Sequence, residues 1–66
     1  MKLRINGKEF DTSYPKTLSE LLKELNIDPQ TVAVEVNLAI IKKASYSSFL
    51  LTGGDEVEIV NFVGGG

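Results

Sequence analysis

One stretch of helical periodicity between segments of β-type pattern constrains the fold of this chain most strongly. Four leucines recur at positions i, i+3, i+4 and i+7, so they form one apolar stripe on a helix whose other face is polar. A chain of 66 residues holds one small core, and we expect the stripe to pack into it. The alternative, a helix that docks in a partner's groove, would leave that core unfilled. The leucines are Leu18, Leu21, Leu22 and Leu25.

The sequence also marks both ends of this helix. Thr17 and Glu20 have the spacing of a capping box, which predicts that the helix starts at Thr17. Asn26 suits the position after the last helical residue, and Asp28-Pro29 prevents continuation. Tyr14-Pro15 ends the preceding strand.

Residues 1–11 predict a β-hairpin. Asn6-Gly7 is the strongest short hairpin signal, because both central positions of a type I′ turn need positive φ. With this loop, apolar residues oppose each other on one face and opposite charges pair on the other. The predicted pairs are Ile5 with Lys8, Arg4 with Glu9, Leu3 with Phe10 and Lys2 with Asp11.

Two more strands are predicted directly after the helix. Residues 32–36 alternate, with three valines on one side. Asn37 opens a turn, and residues 39–41 pair as a short fourth strand.

The last third of the chain returns to the core and ends in a strand. Residues 42–48 are polar and predict an irregular connection that carries Tyr46. Phe49–Leu51 then re-enter the core. Thr52–Asp55 predicts a turn, and the final strand runs from about Glu56 to Phe62.

The final strand changes character along one face. Val57 and Ile59 share the face expected to pack on the helix. The opposite face is acidic at first and then apolar, at Val60 and Phe62, which indicates a partner surface. The alternative is that the loop around Tyr46 covers these two side chains.

The predicted element order is strand, strand, helix, strand, short strand, strand. This order is typical of an α+β domain in which a mixed sheet of four to five strands carries one main helix across one face. The last strand should lie parallel to the first, at the sheet centre, as in the β-grasp or ubiquitin-like arrangement. We expect one β-grasp domain over residues 1–63 and a flexible glycine tail over residues 64–66.

The composition argues against a catalytic site or a metal site built from this chain alone. The chain has no Cys and no His, which removes the usual thiolate nucleophile, general base and soft metal ligands. A net charge of −2 argues against nucleic-acid binding. No apolar run spans a bilayer and the N-terminus is not a signal peptide, so we expect a cytoplasmic protein without membrane partners. Lys42-Lys43 indicates either a contact with an acidic partner or a solvated edge.

The three C-terminal glycines are the remaining candidate for chemistry. Without Cβ atoms, Gly64-Gly65-Gly66 can enter a groove too narrow for other residues. Together with Val63 they reach roughly 13 Å beyond the folded body. A terminal carboxylate is ionised at neutral pH and resists nucleophiles until it is activated, so its chemistry needs a partner enzyme. The alternative is a frayed terminus or an expression scar.

Several segments together resemble the ThiS family, the sulfur carrier proteins of thiamine biosynthesis, over the whole length of the chain. The apolar Leu38-Ala39 departs from the polar turn expected there, which affects the local contact surface and not the tail. The segments that carry the resemblance are Ile5–Lys8, Thr17-Leu18 with the leucine helix, Val34–Asn37 before Ile40-Ile41, Leu51 with Gly54-Asp55, and Val57–Gly66.

The resemblance implies a carrier that is not itself an enzyme and binds no cofactor. A ThiF-like adenylyltransferase would use ATP to adenylate the Gly66 carboxylate, and sulfur from a cysteine desulfurase would convert it to a thiocarboxylate for thiazole synthase. Gly64 and Gly65 would thread the partner's channel, and Val60 and Phe62 would dock the body. Two alternatives stay open: a carrier for another acceptor, such as a molybdopterin precursor or tRNA, and a noncatalytic ubiquitin-like interaction domain.

Overall fold

A computed structural model describes residues 1–13 and 16–62. The described residues form five strands and one α-helix, with short 3₁₀ turns at Pro29–Thr31 and Lys43–Ser45. The sheet has the order β2-β1-β5-β3-β4. The elements are β1 (Lys2–Ile5), β2 (Lys8–Asp11), α1 (Leu18–Glu24), β3 (Val32–Val36), β4 (Ala39–Ile41) and β5 (Glu56–Asn61).

The first hairpin has the predicted register. All four predicted pairs are present, including Leu3 opposite Phe10. Asn6 and Gly7 have φ values of 49° and 82°, so both central turn residues adopt the left-handed conformation that a type I′ turn requires. The Asn-Gly pair therefore determines both the turn and the register of this hairpin.

β5 occupies the centre of the sheet, as predicted. It runs parallel to β1 and antiparallel to β3. β3 pairs with it along its length and β1 pairs with its first two residues, and its inward side chain at Val57 is fully buried. The strand ends at Asn61, one residue before the predicted end at Phe62. The mixed five-stranded sheet with one helix is the β-grasp arrangement.

The helix starts where the capping box predicts. The Thr17 hydroxyl accepts a hydrogen bond from the Glu20 amide at 3.2 Å, and the Glu20 carboxylate accepts one from the Thr17 amide at 2.7 Å. Asn26 follows the C-cap Leu25 with a φ of 58°, which is the left-handed conformation typical of that position. Leu25 itself is only half-buried, whereas the three other stripe leucines are buried: Leu18, Leu21 and Leu22.

The connection from β4 to β5 packs against the start of the helix. Backbone amides of the first helical turn donate to carbonyls of this connection: Leu18 to Phe49 and Ser19 to Tyr46, each at 2.9 Å. Tyr46 is buried in the core. The prediction that all of 49–51 returns to the core is wrong for Leu50, which is exposed. This segment is extended where Leu50 bridges to Thr17, so successive side chains alternate between core and solvent.

An ion pair joins the residue before the helix N-cap, Lys16, to the exposed Glu24 at the end of the helix. The Lys16 ammonium is buried and contacts the Glu24 carboxylate, which also accepts a hydrogen bond from the Thr12 hydroxyl at 3.3 Å. A buried amine needs such a partner because desolvation penalises its charged form. Within residues 1–13 and 16–62, no helix has the length and apolar character needed to cross a membrane.

Candidate functional site

The strand that leads to the glycine tail is held by side chains as well as by its neighbours' backbones. The Asn6 side chain donates to the Ile59 carbonyl at 3.2 Å and accepts from the Ile59 amide at 2.8 Å. It thus extends the parallel β1·β5 pairing past the point where β1 turns away. The amide side chain replaces the peptide group that the turn removes.

The start of β5 has an equivalent arrangement. The Asn37 side-chain oxygen Oδ1 accepts from the Glu56 backbone amide at 3.0 Å, and its Nδ2 donates to the Asp55 carboxylate at 2.9 Å. The Asp55 carboxylate also accepts from the Thr52 amide at 2.8 Å. One asparagine therefore fixes the β3–β4 turn, the turn before β5 and the first residue of β5 relative to each other.

The last described contact of the C-terminal segment is at Phe62. Its amide donates to the Thr31 carbonyl at 3.0 Å, just beyond the end of β5. The predicted tail residues Gly64, Gly65 and Gly66 lie outside the described residues, as does Val63. We call Phe62, the last described residue, the root of the tail. The chain is thus hydrogen-bonded to the domain as far as this residue.

Val60 and Phe62 are exposed, with 58% and 54% of their surfaces accessible. The alternative that the connection around Tyr46 covers them is wrong, because both stay more than half accessible although Lys43 of that connection contacts the Phe62 ring. Phe62 has one described neighbour over its ring, the Lys43 ammonium, at 4.5 Å from the ring centroid. Lys43 also donates to the Val32 carbonyl at 3.3 Å, so it has a structural contact at the tail root.

Two more large apolar side chains are exposed on β4 and its turn. Ile40 is 76% accessible, and it lies opposite Glu35 of β3 on the face away from the helix. Leu38 is 86% accessible and has a φ of 71°, which is strained for a leucine. We define the outer face as the surface of the sheet opposite the helix. The partner surface predicted from the sequence does not include Leu38 and Ile40. The alternation of side chains along Ala39–Ile41 could have placed Ile40 on the same face as Glu35.

A groove of about 530 Å³ lies on the helix side of the tail root. Its apolar lining includes Ile5, Leu25 and Ile59, and Asn61 lies at the same site. The Asp28 carboxylate at its edge accepts from the Gln30 amide at 2.9 Å. None of these groups is a nucleophile or a general base poised for acyl chemistry.

The described residues also lack a metal centre. Within 1–13 and 16–62, no group of three or more acidic, His or Cys side chains converges on a point. In the same residues, every buried polar side-chain atom has a hydrogen-bond partner.

Comparison with known proteins identifies the family of this chain. The model of the ThiS family matches residues 3–66, which is almost the entire chain. The chain belongs to the ThiS family.

Relatives of this ThiS-family chain fall into two sizes. The sulfur carrier protein ThiS of Bacillus subtilis is 40% identical over 67 residues, covering 97% of this chain and 98% of that protein. A thiazole synthase of Paramagnetospirillum magneticum is 50% identical over 66 residues. That match covers all of this chain but 20% of the synthase. The chain thus spans about a fifth of the length of the thiazole synthases that it matches.

A solved structure has the same fold. The crystal structure of the thiamine biosynthesis protein ThiS from Geobacter metallireducens superposes with a TM-score of 0.87 at 30% identity, with both chains covered completely. The predicted β-grasp fold is confirmed by this match and by the mixed sheet with one helix.

Proposed function

We propose that this ThiS-family chain is a sulfur carrier of thiamine biosynthesis, with the Gly66 carboxyl carbon as the sulfur-bearing atom. The observation that carries the proposal is the match over nearly the full length of both chains to a sulfur carrier protein ThiS. In this chain, Gly64, Gly65 and Gly66 follow β5, the central strand of the sheet. The scaffold thus holds the root of the tail, and partners act on its end.

The proposed chemistry needs two steps. First, a Gly66 carboxylate oxygen attacks the α-phosphorus of ATP and pyrophosphate leaves, giving an acyl-adenylate. Second, a thiol such as cysteine reduces the persulfide that a cysteine desulfurase forms, which releases sulfide and leaves a disulfide; the sulfide attacks the carbonyl carbon and AMP leaves, giving a thiocarboxylate. Activation is required because a free carboxylate is an anion with no good leaving group. The chain has no Cys or His to assist, so a ThiF-like adenylyltransferase would supply the catalytic groups and bind the ATP.

The proposed sulfur acceptor is thiazole synthase. Thiazole synthases from two bacteria contain a segment similar to the whole of this chain, so carrier-like and synthase sequences occur in one polypeptide. Covalent linkage raises the effective concentration of two modules that must meet. A cysteine desulfurase is the proposed source of sulfur.

Intact-protein mass spectrometry tests the carrier function. The chain is incubated with ATP, a ThiF-like adenylyltransferase, a cysteine desulfurase and cysteine. We expect a mass increase equal to the replacement of one oxygen by sulfur, which requires ATP and is lost in a variant that lacks Gly66. An unchanged mass, with enzymes that load the Bacillus subtilis ThiS in parallel, would refute the proposal and favour a noncatalytic interaction domain.

A second assay tests the acceptor. The loaded chain is supplied either to thiazole synthase with its other substrates or to a molybdopterin precursor with its synthase. Sulfur transfer in the first reaction alone is the expected result. Transfer in the second reaction alone would retain the carrier chemistry but assign it to another pathway.

A further inference from the structure

The two edges of the sheet differ in charge. β2 and β4 are the edge strands, and the β2 sequence Lys-Glu-Phe-Asp is mostly charged, which opposes pairing with another chain. β4 has the sequence Ala-Ile-Ile and carries no charge. Its middle residue, Ile40, is 76% accessible, so the part of the chain that the structure describes leaves this edge open. β4 is therefore the edge that can accept a further strand.

The hairpin geometry directs the backbone groups of Ile40 outward. The turn between β3 and β4 has two residues, Asn37 and Leu38, both with positive φ. The pair that closes such a turn, Val36 with Ala39, is hydrogen-bonded. Because hydrogen-bonded and non-hydrogen-bonded pairs alternate along an antiparallel ladder, the next pair, which contains Ile40, is not hydrogen-bonded. The N–H and C=O of Ile40 therefore point away from β3, toward the open edge.

This edge is complementary to itself. A second β4 in antiparallel orientation, centred on Ile40, would let the N–H of each Ile40 donate to the C=O of the other. Ala39 would then face the second copy's Ile41, and Leu38 would lie beside the aliphatic stem of the second copy's Lys42. Every pair in this register is apolar or joins an apolar side chain to a lysine stem.

The acidic side chains of the sheet do not oppose this pairing. Glu35 is the neighbour of Ile40 on β3, so the two copies of Glu35 would be separated by three inter-strand spacings, about 14 Å. That separation exceeds the Debye length of about 8 Å at physiological ionic strength, so the repulsion is largely screened. Apolar contact and backbone hydrogen bonds at the edge therefore decide the balance.

Pairing also gives a reason for the leucine in the turn. Leu38 is 86% accessible and has a φ of 71°, a conformation that glycine or asparagine adopts at lower cost. The free chain thus bears both backbone strain and an exposed apolar side chain at this position. A second copy would cover that side chain.

We propose that two copies of this chain associate through their β4 edges, in a two-fold symmetric pairing centred on Ile40 that joins the two sheets into one. Each copy contributes a short strand and a turn, whereas a standard interface takes about 20–30 residues from each side. The dimer is therefore weak, with a dissociation constant on the order of 0.1–1 mM. β3 separates β5 from this edge, so both tail roots stay outside the contact.

Sedimentation equilibrium tests the association. We expect the apparent mass to rise from the monomer toward the dimer value between about 0.02 and 2 mM. Ile40→Lys brings two ammonium groups together at the symmetry axis and should weaken the association at least roughly tenfold. Its melting temperature should not fall, because the new ammonium lies opposite Glu35. Leu50→Lys makes the same change of charge at an exposed site of the β4–β5 connection and should leave the association within about twofold.

Two results of this experiment would overturn the proposal. One is a parent chain that stays monomeric at about 2 mM. The other is a dimer that persists unchanged in folded Ile40→Lys, because its interface would lie elsewhere. Neither ATP nor a partner enzyme is present, so neither result bears on the carrier function.

Introduced cysteines test the register. The chain has no Cys, so any disulfide forms through the new residue. Hydrogen-bonded partners in an antiparallel pair have Cα atoms about 5.5 Å apart, within the range that a disulfide spans. With diamide as oxidant, and near the dissociation constant, Ile40→Cys should give a covalent dimer several-fold faster than Leu50→Cys. Equal rates would contradict the pairing centred on Ile40.

Discussion

Leu38 has the least favourable backbone conformation of the described non-glycine residues. Its φ of 71° lies in the left-handed region, where a Cβ atom costs roughly 1–2 kcal/mol. The residue before it, Asn37, tolerates this conformation and is fixed by its hydrogen bonds to Asp55 and Glu56. The turn geometry is therefore imposed by Asn37, and Leu38 adopts it at a cost in free energy.

Replacing Leu38 by glycine should stabilise the protein. Relief of the backbone strain is partly offset by the greater entropy of glycine in the unfolded chain, which leaves a gain of up to about 1 kcal/mol in the free energy of unfolding. Urea denaturation measures this difference. Leu38→Ala, which keeps a Cβ atom, is the control and should show no such gain. Equal stability of the two variants would show that the turn is unstrained.

Tyr46 makes stability depend on pH in the alkaline range. Burial raises the pKa of its phenol above the usual value of 10.0, while a backbone hydrogen bond at Val34 acts in the opposite direction. Below pH 10 the phenol is protonated in both states, and its contribution is fully present. As the pH rises past 10, the unfolded chain ionises first, so stability falls until the folded-state pKa is passed.

The Tyr46→Phe variant should lose this pH-dependent component. We expect the difference in unfolding free energy between parent and variant to be constant below pH 10 and to shift in favour of the variant above it. The other titrating groups are common to both proteins and cancel in the difference. A difference that is flat up to pH 11, which is about one unit above the reference pKa, would contradict the assignment.

At the scale of elements, β5 is the strand on which the whole site depends. It has backbone partners on both sides, and an asparagine side chain completes the pairing near each end: Asn37 at Glu56 and Asn6 at Ile59. Central placement limits fraying, because a buried strand opens only with much of the sheet. The root of the tail is therefore held rigidly, although the described contacts end at Phe62.

The Asn6 side chain should contribute measurably to this anchoring. Asn6→Gly keeps a residue that accepts positive φ but removes both hydrogen bonds to Ile59, so we expect a loss of about 1–3 kcal/mol in unfolding free energy. Asn6→Asp retains the oxygen that accepts from the Ile59 amide and should lose less. Hydrogen exchange at the Ile59 amide gives a local readout. Unchanged protection in the glycine variant would show that β1 and β3 hold the strand without this side chain.

At the scale of the whole molecule, the proposed function assigns docking to the folded domain and chemistry to the C-terminal glycines. The body offers an outer face with exposed Val60 and Phe62, and the sequence contains no Cys and no His. Docking and chemistry should then respond to different substitutions. Changes on the sheet should affect the KM, and changes in the glycines should affect the rate after binding.

Gly65→Val tests the second part of this division. A branched side chain cannot enter a channel shaped for glycine, so adenylation should slow by roughly a hundredfold while the melting temperature stays unchanged. Gly65→Ala should give an intermediate rate. Adenylation of the valine variant at the parental rate would mean that the partner's channel is wider than the glycines require.

Local signals in the sequence predicted most of the elements correctly. The Asn6-Gly7 turn determined a register, and the Thr17–Glu20 capping box determined a helix start, because each depends on residues only a few positions apart. Leu50 was assigned wrongly to the core, since a short apolar run does not reveal which members of an extended segment face inward. The sequence does not determine the exposure of Val60 for a related reason: it depends on where a distant loop packs.

The sequence by itself determined the β-grasp order of elements, the stripe that the helix buries and the glycine ending, because periodicity and turn chemistry act over neighbouring residues. Only the tertiary structure decided which side chains meet between strands that are distant in the chain. Glu35 and Glu58 become neighbours because β5 inserts between β1 and β3, and Ile40 joins them through the β3–β4 pairing. The Glu35–Glu58 contact joins residues far apart in the chain, and no local pattern encodes it.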